Sequence, residues 1–241
     1  MFADISPRYD LLNHVLSLNV DRLWRRRLVA KLALPPAARV LDVCTGTADL
    51  AIEIARRLGP DARVYGSDFT PEMLRLGQPK CLRAPGTPVT LLAADTLDLP
   101  FPDQTFDAVT VAFGIRNVID MDAALVELWR VLKPGGRAGI LEFSNSRVPG
   151  FRTAFRFYFH NVLPRVGALV ARGKAGRSAY RYLPSSVAEF LPPEVLAEHI
   201  RSTGFTGVHH SSLSLGIAAM HIATRPASPT TAELPSGRVL S

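Results

Sequence analysis

Residues 113–118 read "FGIRNV" and follow an apolar run that is typical of a buried strand. An arginine beside an asparagine is an unusual choice for a loop that only connects two elements. The Arg116 guanidinium keeps its charge at any ordinary pH, and the Asn117 amide both donates and accepts hydrogen bonds. This pattern indicates a candidate site at the end of the strand. The alternative is an ion pair between Arg116 and Asp120 or Asp122 that only caps the next helix.

A second group of candidate residues lies at the ends of three earlier β-rich runs. Gly46 ends "RVLDVCTG", Asp68 ends the second run, and Asp95 ends the third with Thr96 beside it. Glycine lets the backbone approach a ligand closely, and a carboxylate about 20 residues later can bind a ribose diol. Asp95 is placed to bind an adenine amino group. The alternative is that these carboxylates only cap strand ends, because Asp is common in turns.

The glycine pattern narrows the choice of ligand. A dinucleotide fingerprint needs three glycines as G-x-G-x-x-G, whereas "CTGTAD" contains Gly46 alone. A nucleoside cofactor without a pyrophosphate therefore fits better. One glycine turn with acidic ends on strands two and three is the layout of an S-adenosylmethionine-dependent methyltransferase. We also place Asp42 and Phe69, which flank these strand ends, in the cofactor site.

A parallel sheet is the element that would bring these residues together. Short apolar runs alternate with helical patterns along the middle of the chain, and the runs cover residues 39–46, 62–68, 89–95, 106–114 and 137–144. This alternation predicts a parallel sheet with helices on both faces. A helical pattern at 192–205 and two further strands within 206–225 extend the prediction to seven strands. Ligands of such sheets bind beyond the carboxyl ends of the strands.

We predict one domain over residues 1–225, with a helical arm at 1–38, an insertion at 147–190 and a disordered tail at 226–241. The insertion contains "FRTAFRFYFHNVL", in which aromatic residues recur at helical spacing with two arginines off that stripe. This pattern fits a lid over a greasy ligand or a helix that faces anionic lipid. The alternative is an ordinary helix that faces the core.

Charge and composition limit the classes of function. The net charge is +7, and residues 1–39 carry seven Lys/Arg against three Asp/Glu, while residues 147–225 carry ten against three. Such basic segments suit nucleic acid, an anionic membrane or an acidic small molecule. No apolar run is long enough to span a membrane. The two cysteines, Cys44 and Cys81, favour a cytoplasmic protein, and no cluster of residues has metal-ligand spacing.

The sequence resembles the ubiquinone/menaquinone biosynthesis C-methyltransferases from residue 2 to about residue 225. The resemblance rests on "RYDLLNHVLS", "VLDVCTGTADLA", "LPFPDQTFDAVTVAFGIRNVID", "LWRVLKPGGRAGILEFS" and "AYRYLPSSVAEFLPPEVL". "LPFPDQTFD" and "PGG" occur in many methyltransferases, whereas "FGIRN" together with "RYDLLNHVLS" is specific to this family. The resemblance implies a class I, Rossmann-like methyltransferase fold, S-adenosylmethionine as the cofactor, and methylation of a ring carbon of a polyprenyl quinol.

Family roles carry over to individual positions of this chain. The cofactor contacts would fall on Thr47, Asp68 and the Asp95–Thr96 pair, and on the backbone of Ala112, where the family often has serine. The resemblance also implies catalytic roles for three residues. Arg116 would stabilise the oxyanion of the acceptor ring, Asn117 would orient the ring or the cofactor, and Tyr9 would close the pocket.

Several alternatives for substrate and partners stay open. "VCTGTAD" resembles the menaquinone-pathway members, which favours demethylmenaquinol over a polyprenyl benzoquinol of the ubiquinone pathway, although one enzyme could serve both. An RNA methyltransferase would carry an Asp/Asn-Pro-Pro-aromatic loop where "FGIRN" stands, so we expect no nucleic acid. A non-catalytic partner of other quinone enzymes is a further alternative. A homodimer and a peripheral membrane contact through the insertion also stay open.

Overall fold

The computed structural model describes residues 19–144, 148, 186 and 190–227. In these ranges the elements follow one another as α1 (Asp21–Leu32), β1 (Arg39–Val43), α2 (Asp49–Ala55), β2 (Arg63–Asp68), α3 (Pro71–Arg83), β3 (Val89–Ala93), β4 (Phe106–Ala112), a 3₁₀ turn (Ile115–Asn117), α4 (Met121–Val131), β5 (Leu132–Phe143), α5 (Pro193–Ser202), β6 (Thr206–Leu213), a second 3₁₀ turn (Ser214–Gly216) and β7 (Ala218–Thr224).

The seven strands form one sheet in the order β3-β2-β1-β4-β5-β7-β6. Strands β1 to β5 pair in parallel, as the alternation of strands and helices predicts. β7 lies between β5 and β6 and runs antiparallel to both. A short connection can only join antiparallel neighbours, and β6 meets β7 through the turn Ser214–Gly216. The predicted seven-stranded fold is therefore confirmed, with a mixed rather than fully parallel sheet.

Each face of the sheet carries its own hydrophobic core. Along β1, Val40 belongs to one core and Leu41 to the other, because successive side chains of a strand point to opposite faces. Helices α1 and α2 cover the first face, and α4 and α5 cover the second. Trp24 is fully buried in the first core and donates its indole N–H to the Ser214 hydroxyl at 3.0 Å.

Element boundaries differ from the sequence prediction at β5. The strand begins at Leu132, although "KPGG" predicts a break before residue 137. Phe106 pairs with Leu132 and Ala108 with Arg137, so the residues between them bulge out of the ladder without ending it. Gly135, with φ 79°, supplies the left-handed conformation inside this bulge.

Parts of the predicted domain organisation lie outside the described residues. Of the predicted arm at 1–38, the structure describes residues from 19 onward, where α1 packs on β5 and β7. Tyr9, nearly all of the insertion at 147–190 and the tail from residue 228 are not described. The division into arm, insertion and tail stays a prediction.

Candidate functional site

The carboxyl ends of the parallel strands surround a cavity of about 370 Å³. Its wall contains six of the residues predicted for the site, brought together from four loops: Gly46, Asp68, Phe69, Asp95, Thr96 and Asn117. The other described residues of the wall are Cys44, Thr70, Met73, Leu97, Gly114, Val118 and Ile119. Neighbouring parallel strands end at the same edge of a sheet, which is why loops distant in sequence meet here.

Asp68 ties the glycine loop to the end of β2. Its carboxylate accepts hydrogen bonds from the backbone N–H of Gly46 and from that of Thr70, each at 2.8 Å. Burial raises the pKa of Asp68, and these hydrogen bonds oppose the rise. A carboxylate accepts about four hydrogen bonds, so capacity remains for a hydroxyl of a bound molecule. Asp68 is both a structural cap and a candidate ligand.

The cavity wall combines further polar and apolar groups. The Asp95 carboxylate accepts a hydrogen bond from the Leu97 N–H at 2.9 Å. The Thr96 hydroxyl lies 3.4 Å from the Cys44 sulfur, and burial raises the pKa of that thiol to about 12, so it stays protonated. The Phe69 side chain is 76% exposed, which leaves an aromatic face available for packing against a flat ring.

Left-handed backbone conformations concentrate where β1 and β4 end. Cys44, Gly46 and Ala48 have φ values of 49°, 57° and 69°, and Phe113 has 59°. Non-glycine residues adopt this region at a cost, and such residues cluster at functional sites. Gly114 has a different constraint, because a Cβ there would lie 2.3 Å from the Cys44 Cβ. The two loops therefore approach each other too closely for any side chain at Gly114.

The structure places Asp42 beneath the cavity and not in its wall. Its two carboxylate oxygens accept hydrogen bonds from the Thr45 hydroxyl at 2.6 Å and the Thr110 hydroxyl at 2.7 Å. Burial raises the pKa of Asp42 to about 6, although both hydroxyls oppose the rise. Asp42 joins β1 to β4 and to the glycine loop, and its predicted contact with the cofactor stays a prediction.

Two further predicted contacts also lie outside the cavity wall. The Thr47 hydroxyl is buried and accepts a hydrogen bond from the Lys80 ammonium at 2.9 Å, and Lys80 also pairs with Asp49. Ala112 packs against the core on the α1 side of the sheet. The roles predicted for these residues toward the cofactor are not tested by this geometry.

Arg116 is held in a buried ion pair that neither sequence interpretation anticipated. Its Nη1 donates to Glu142 at 2.5 Å and to the Phe113 carbonyl at 2.6 Å, and the Arg116 and Glu142 side chains are 4% and 1% exposed. The alternative partners are engaged elsewhere: Asp120 accepts from the Ala123 N–H, and Asp122 contacts His199. The Arg116 Nε is buried and has no hydrogen-bond partner among the described residues.

Glu142 is a site residue that sequence analysis missed. It lies on β5 in the middle of the apolar run "ILEFS", and a lone carboxylate in such a run is the signal that would have found it. Burial raises the pKa of Glu142, while Arg116 lowers it. Glu142 also accepts hydrogen bonds from the backbone N–H groups of Phe143 and Arg116. A charge this deeply buried persists only when it is paired and hydrogen-bonded.

Two kinds of feature are absent from the described part of the chain. Residues 19–144 and 190–227 contain no group of three or more His, Cys, Asp and Glu side chains placed to hold a metal ion. In the same part of the chain, no helix has the length and apolar character needed to cross a membrane.

Comparison with known sequences gives a consistent family. Residues 1–225 match the sequence model of the ubiE/COQ5 methyltransferase family. A demethylmenaquinone methyltransferase from Deinococcus radiodurans is 51% identical over 92% of this chain and 90% of its own length. One from Thermus thermophilus is 49% identical over 94% of this chain and 100% of its own length. A ubiquinone/menaquinone biosynthesis C-methyltransferase UbiE from Geobacter sp. is 47% identical over 93% and 94%.

Solved structures share the fold at low sequence identity. A SAM-dependent methyltransferase from Aquifex aeolicus superposes with a TM-score of 0.61 at 18% identity, over 83% of this chain and 89% of that one. The [4+2]-cyclase SpnF superposes with a TM-score of 0.68 at 18% identity, over 95% and 94%. These likenesses concern the fold alone, and the second shows that the fold also serves a cyclase.

Proposed function

Because the chain belongs to the ubiE/COQ5 methyltransferase family, we propose that it methylates a ring carbon of demethylmenaquinol, with S-adenosylmethionine as the methyl donor. The observation that carries the choice of acceptor is that two relatives named demethylmenaquinone methyltransferase are 51% and 49% identical to it over more than nine-tenths of the chain. A demethylmenaquinol acceptor also agrees with the "VCTGTAD" form of the glycine loop.

The cavity fits a nucleoside cofactor. Gly46 lets the loop backbone come close, Asp68 has acceptor capacity for ribose hydroxyls, and Phe69 offers an exposed aromatic face. Asp95 and Thr96 supply further polar groups. S-adenosylmethionine, when bound, supplies an electrophilic methyl group on a sulfonium. The protein's part is to hold the acceptor carbon in line with that methyl group.

The acceptor must lose a phenolic proton before its ring carbon becomes nucleophilic. A phenol has a pKa of about 10 in water, so the site must favour the oxyanion. In our proposal the Arg116 guanidinium does this through its N–H groups, of which Nη1 is engaged by Glu142 and Nε has no described partner. Glu142 offsets part of the positive charge, so directed hydrogen-bond donation to the oxyanion matters more than net charge. Asn117, in the cavity wall, would orient the ring.

Isotope-labelled methyl transfer tests the proposal. Purified protein and labelled S-adenosylmethionine are supplied with reduced demethylmenaquinone and, separately, with a reduced demethylated polyprenyl benzoquinone. We expect label in the naphthoquinol product. Label in neither quinol, with cofactor binding intact by calorimetry, would overturn the choice of acceptor. Label in added RNA would place the protein in a different class of methyltransferase.

A dual-pathway enzyme is the second candidate. The Geobacter relative, at 47% identity, carries a name that covers both ubiquinone and menaquinone biosynthesis. In the same experiment this candidate requires label in both quinols at comparable rates. Label in the naphthoquinol alone would exclude it.

Tyr9 and the insertion at 147–190 complete the proposal as closing elements. We propose that Tyr9 closes the cavity over the acceptor ring and that the basic aromatic insertion covers the polyprenyl chain or faces anionic lipid. Flotation with anionic vesicles tests the membrane contact: a protein deleted for residues 151–163 should be less enriched at the vesicles than the intact chain. Equal enrichment of the deleted and intact chains would contradict this role.

A further inference from the structure

A second concave surface lies beside the cavity, and the proposed reaction does not use it. This basic groove has a volume of about 400 Å³ and is formed by α1, α2 and the end of α3. Six of the side chains that line it are cationic, and they come from three separate segments: Arg22, Arg25, Arg26, Arg56, Lys80 and Arg83. Among the described residues that line it, two are carboxylates, Asp49 and Glu53, so the positive charges of this set exceed the negative ones.

The carboxylates of the basic groove are shared among several cations. Glu53 lies 3.7 Å from Arg26, 3.9 Å from Arg56 and 3.2 Å from Arg57, so one negative charge serves three guanidiniums. Arg22 makes no ion pair with a described carboxylate. Neighbouring like charges at this density repel one another unless an anion lies between them.

Arg25 lines the basic groove and is largely buried. Its side chain is 8% exposed and forms ion pairs with Asp21 and, at 3.9 Å, with Asp49. Its guanidinium lies 5.5 Å from the centre of the Phe113 ring. The Arg25 Nε is buried and has no hydrogen-bond partner among the described residues. Buried donors are nearly always paired, and an anionic oxygen is the strongest partner for a guanidinium. Arg25 therefore adds positive charge to the groove, which favours an anionic ligand there.

The basic groove and the cavity share one loop. Lys80 lines the groove and donates to the Thr47 hydroxyl, and Thr47 follows Gly46 of the cavity wall. Gly77 of α3 packs on this loop so closely that a Cβ would lie 3.0 Å from the Thr47 backbone. A ligand bound in the groove would therefore lie next to the cofactor cavity.

We propose that the basic groove binds the phosphate headgroups of anionic phospholipids and so docks the cavity at the bilayer surface. This inference rests on the proposed function, since a polyprenyl quinol resides in the bilayer. Single-stranded nucleic acid is the weaker candidate, because none of the described residues that line the groove is aromatic and these residues offer bases no stacking surface. Clustered basic residues near an anionic leaflet contribute binding additively.

The test compares two charge-reversal variants of the full chain. Arg22→Glu/Arg83→Glu changes the groove, and Arg39→Glu/Arg63→Glu makes the same change in net charge at the amino ends of β1 and β2. Co-sedimentation uses vesicles of phosphatidylcholine alone or mixed with phosphatidylglycerol. We expect binding to the mixed vesicles only, weakened roughly thirty-fold or more in the groove variant. Equal weakening in both variants, or no vesicle binding by the unmodified chain, would overturn the proposal.

Further measurements distinguish lipid headgroups from free phosphate, and the docking proposal from the proposed methylation. Binding of inorganic phosphate at low concentration by a chain that does not bind vesicles would indicate a small-anion site instead. Loss of RNA retention in the groove variant alone would indicate nucleic acid. Turnover is measured with the acceptor in detergent and in vesicles. The groove variant should keep the detergent rate and cofactor affinity and lose the vesicle rate. An unchanged vesicle rate would overturn the docking role, whereas no turnover of the unmodified chain in either medium would overturn the proposed reaction.

Discussion

The cofactor cavity and the basic groove have similar volumes, about 370 and 400 Å³, and share a loop, yet they are built differently. The polar groups of the cavity are backbone amides and short side chains at strand ends, held by hydrogen bonds such as those from the Gly46, Thr70 and Leu97 N–H groups. The groove is lined by long side chains on three helix surfaces. The cavity should therefore respond to changes of single atoms, and the groove to total charge. A rigid strand edge suits the geometry of a chemical step, and flexible cations suit a surface without fixed shape.

The largest effect is expected on the cavity side, at Glu142. Replacing it with alanine leaves the Arg116 guanidinium buried without its partner, which typically costs about 3–5 kcal/mol of unfolding free energy. Denaturant unfolding measures the loss. The double variant Arg116→Met/Glu142→Leu removes both charges and should recover most of that stability. If the single variant were as stable as the unmodified chain, the pair would not be a buried one.

The same double variant tests the chemistry of Arg116. It should fold and bind S-adenosylmethionine, because neither residue lines the cavity wall. If Arg116 acts on the acceptor oxygen, labelled methyl transfer should be abolished. Turnover at the normal rate would show that Arg116 is structural.

The buried Asp42 carboxyl should make the unfolding free energy depend on pH. Its pKa in the folded chain is about 6, above the ordinary value of 3.8, so its contribution is present below pH 3.8 and is lost as pH rises through 6. A pKa difference of this size between the folded and unfolded chain corresponds to roughly 3 kcal/mol. The unfolding free energy of the unmodified chain, minus that of Asp42→Asn, should fall by roughly this amount between pH 4 and 7. A difference that is flat with pH would contradict the burial of this carboxylate. Asp103→Asn, at an exposed site, is the control.

Sequence analysis could predict residues of the cavity wall but not the buried side-chain pairs beside them. Gly46, Asp68 and Asp95 meet because parallel strands end at one edge, and the apolar runs already indicate where those ends lie. The pairing of Arg116 with Glu142 depends on the register of β4 against β5 and on the direction of a 3₁₀ turn. No local pattern encodes either one.

Asp42 and the basic groove illustrate the same limit. Whether the buried Asp42 carboxylate has a hydrogen-bond donor beside it depends on β4, because Thr110 of that strand donates to one of its oxygens. The groove combines arginines from three helices, and helical spacing reveals which residues share a face only within one helix. Side-chain partners from distant segments follow from packing, which the sequence does not display.

A smaller effect is expected where the two loops meet. Gly114→Ala would place a Cβ 2.3 Å from that of Cys44, so we expect a loss of about 1–3 kcal/mol and weaker cofactor binding by calorimetry. Cys44→Gly in the same chain should restore much of both, since it removes the clash and suits the φ of 49°. Gly135→Ala, where no atom lies within 4 Å of the new Cβ, should leave cofactor binding unchanged. Because Gly135 has a φ of 79°, alanine there is strained and the comparison concerns cofactor binding alone. Equal weakening of cofactor binding by Gly114→Ala and Gly135→Ala would argue against close loop contact.

The smallest effect on stability is expected in the basic groove. Arg22→Glu/Arg83→Glu should change the unfolding free energy by no more than about 0.5 kcal/mol, because exposed charges away from packed features contribute little. Thermal unfolding at low and high salt would check this. A loss comparable with that of Glu142→Ala would mean that these arginines support the fold, and the contrast between the two regions would fail.

The position of β7 has a consequence for how the chain is made. β5 carries Glu142 and pairs with β7 along its outer edge, so residues 144–217 must be synthesised before that edge is covered. Until then a nascent chain presents an apolar strand with unpaired backbone groups, the template on which aggregates grow. Chains released from the ribosome before Ala218 should therefore precipitate or be held by chaperones, and a pulse-chase of stalled nascent chains would show whether solubility appears only with the last strand.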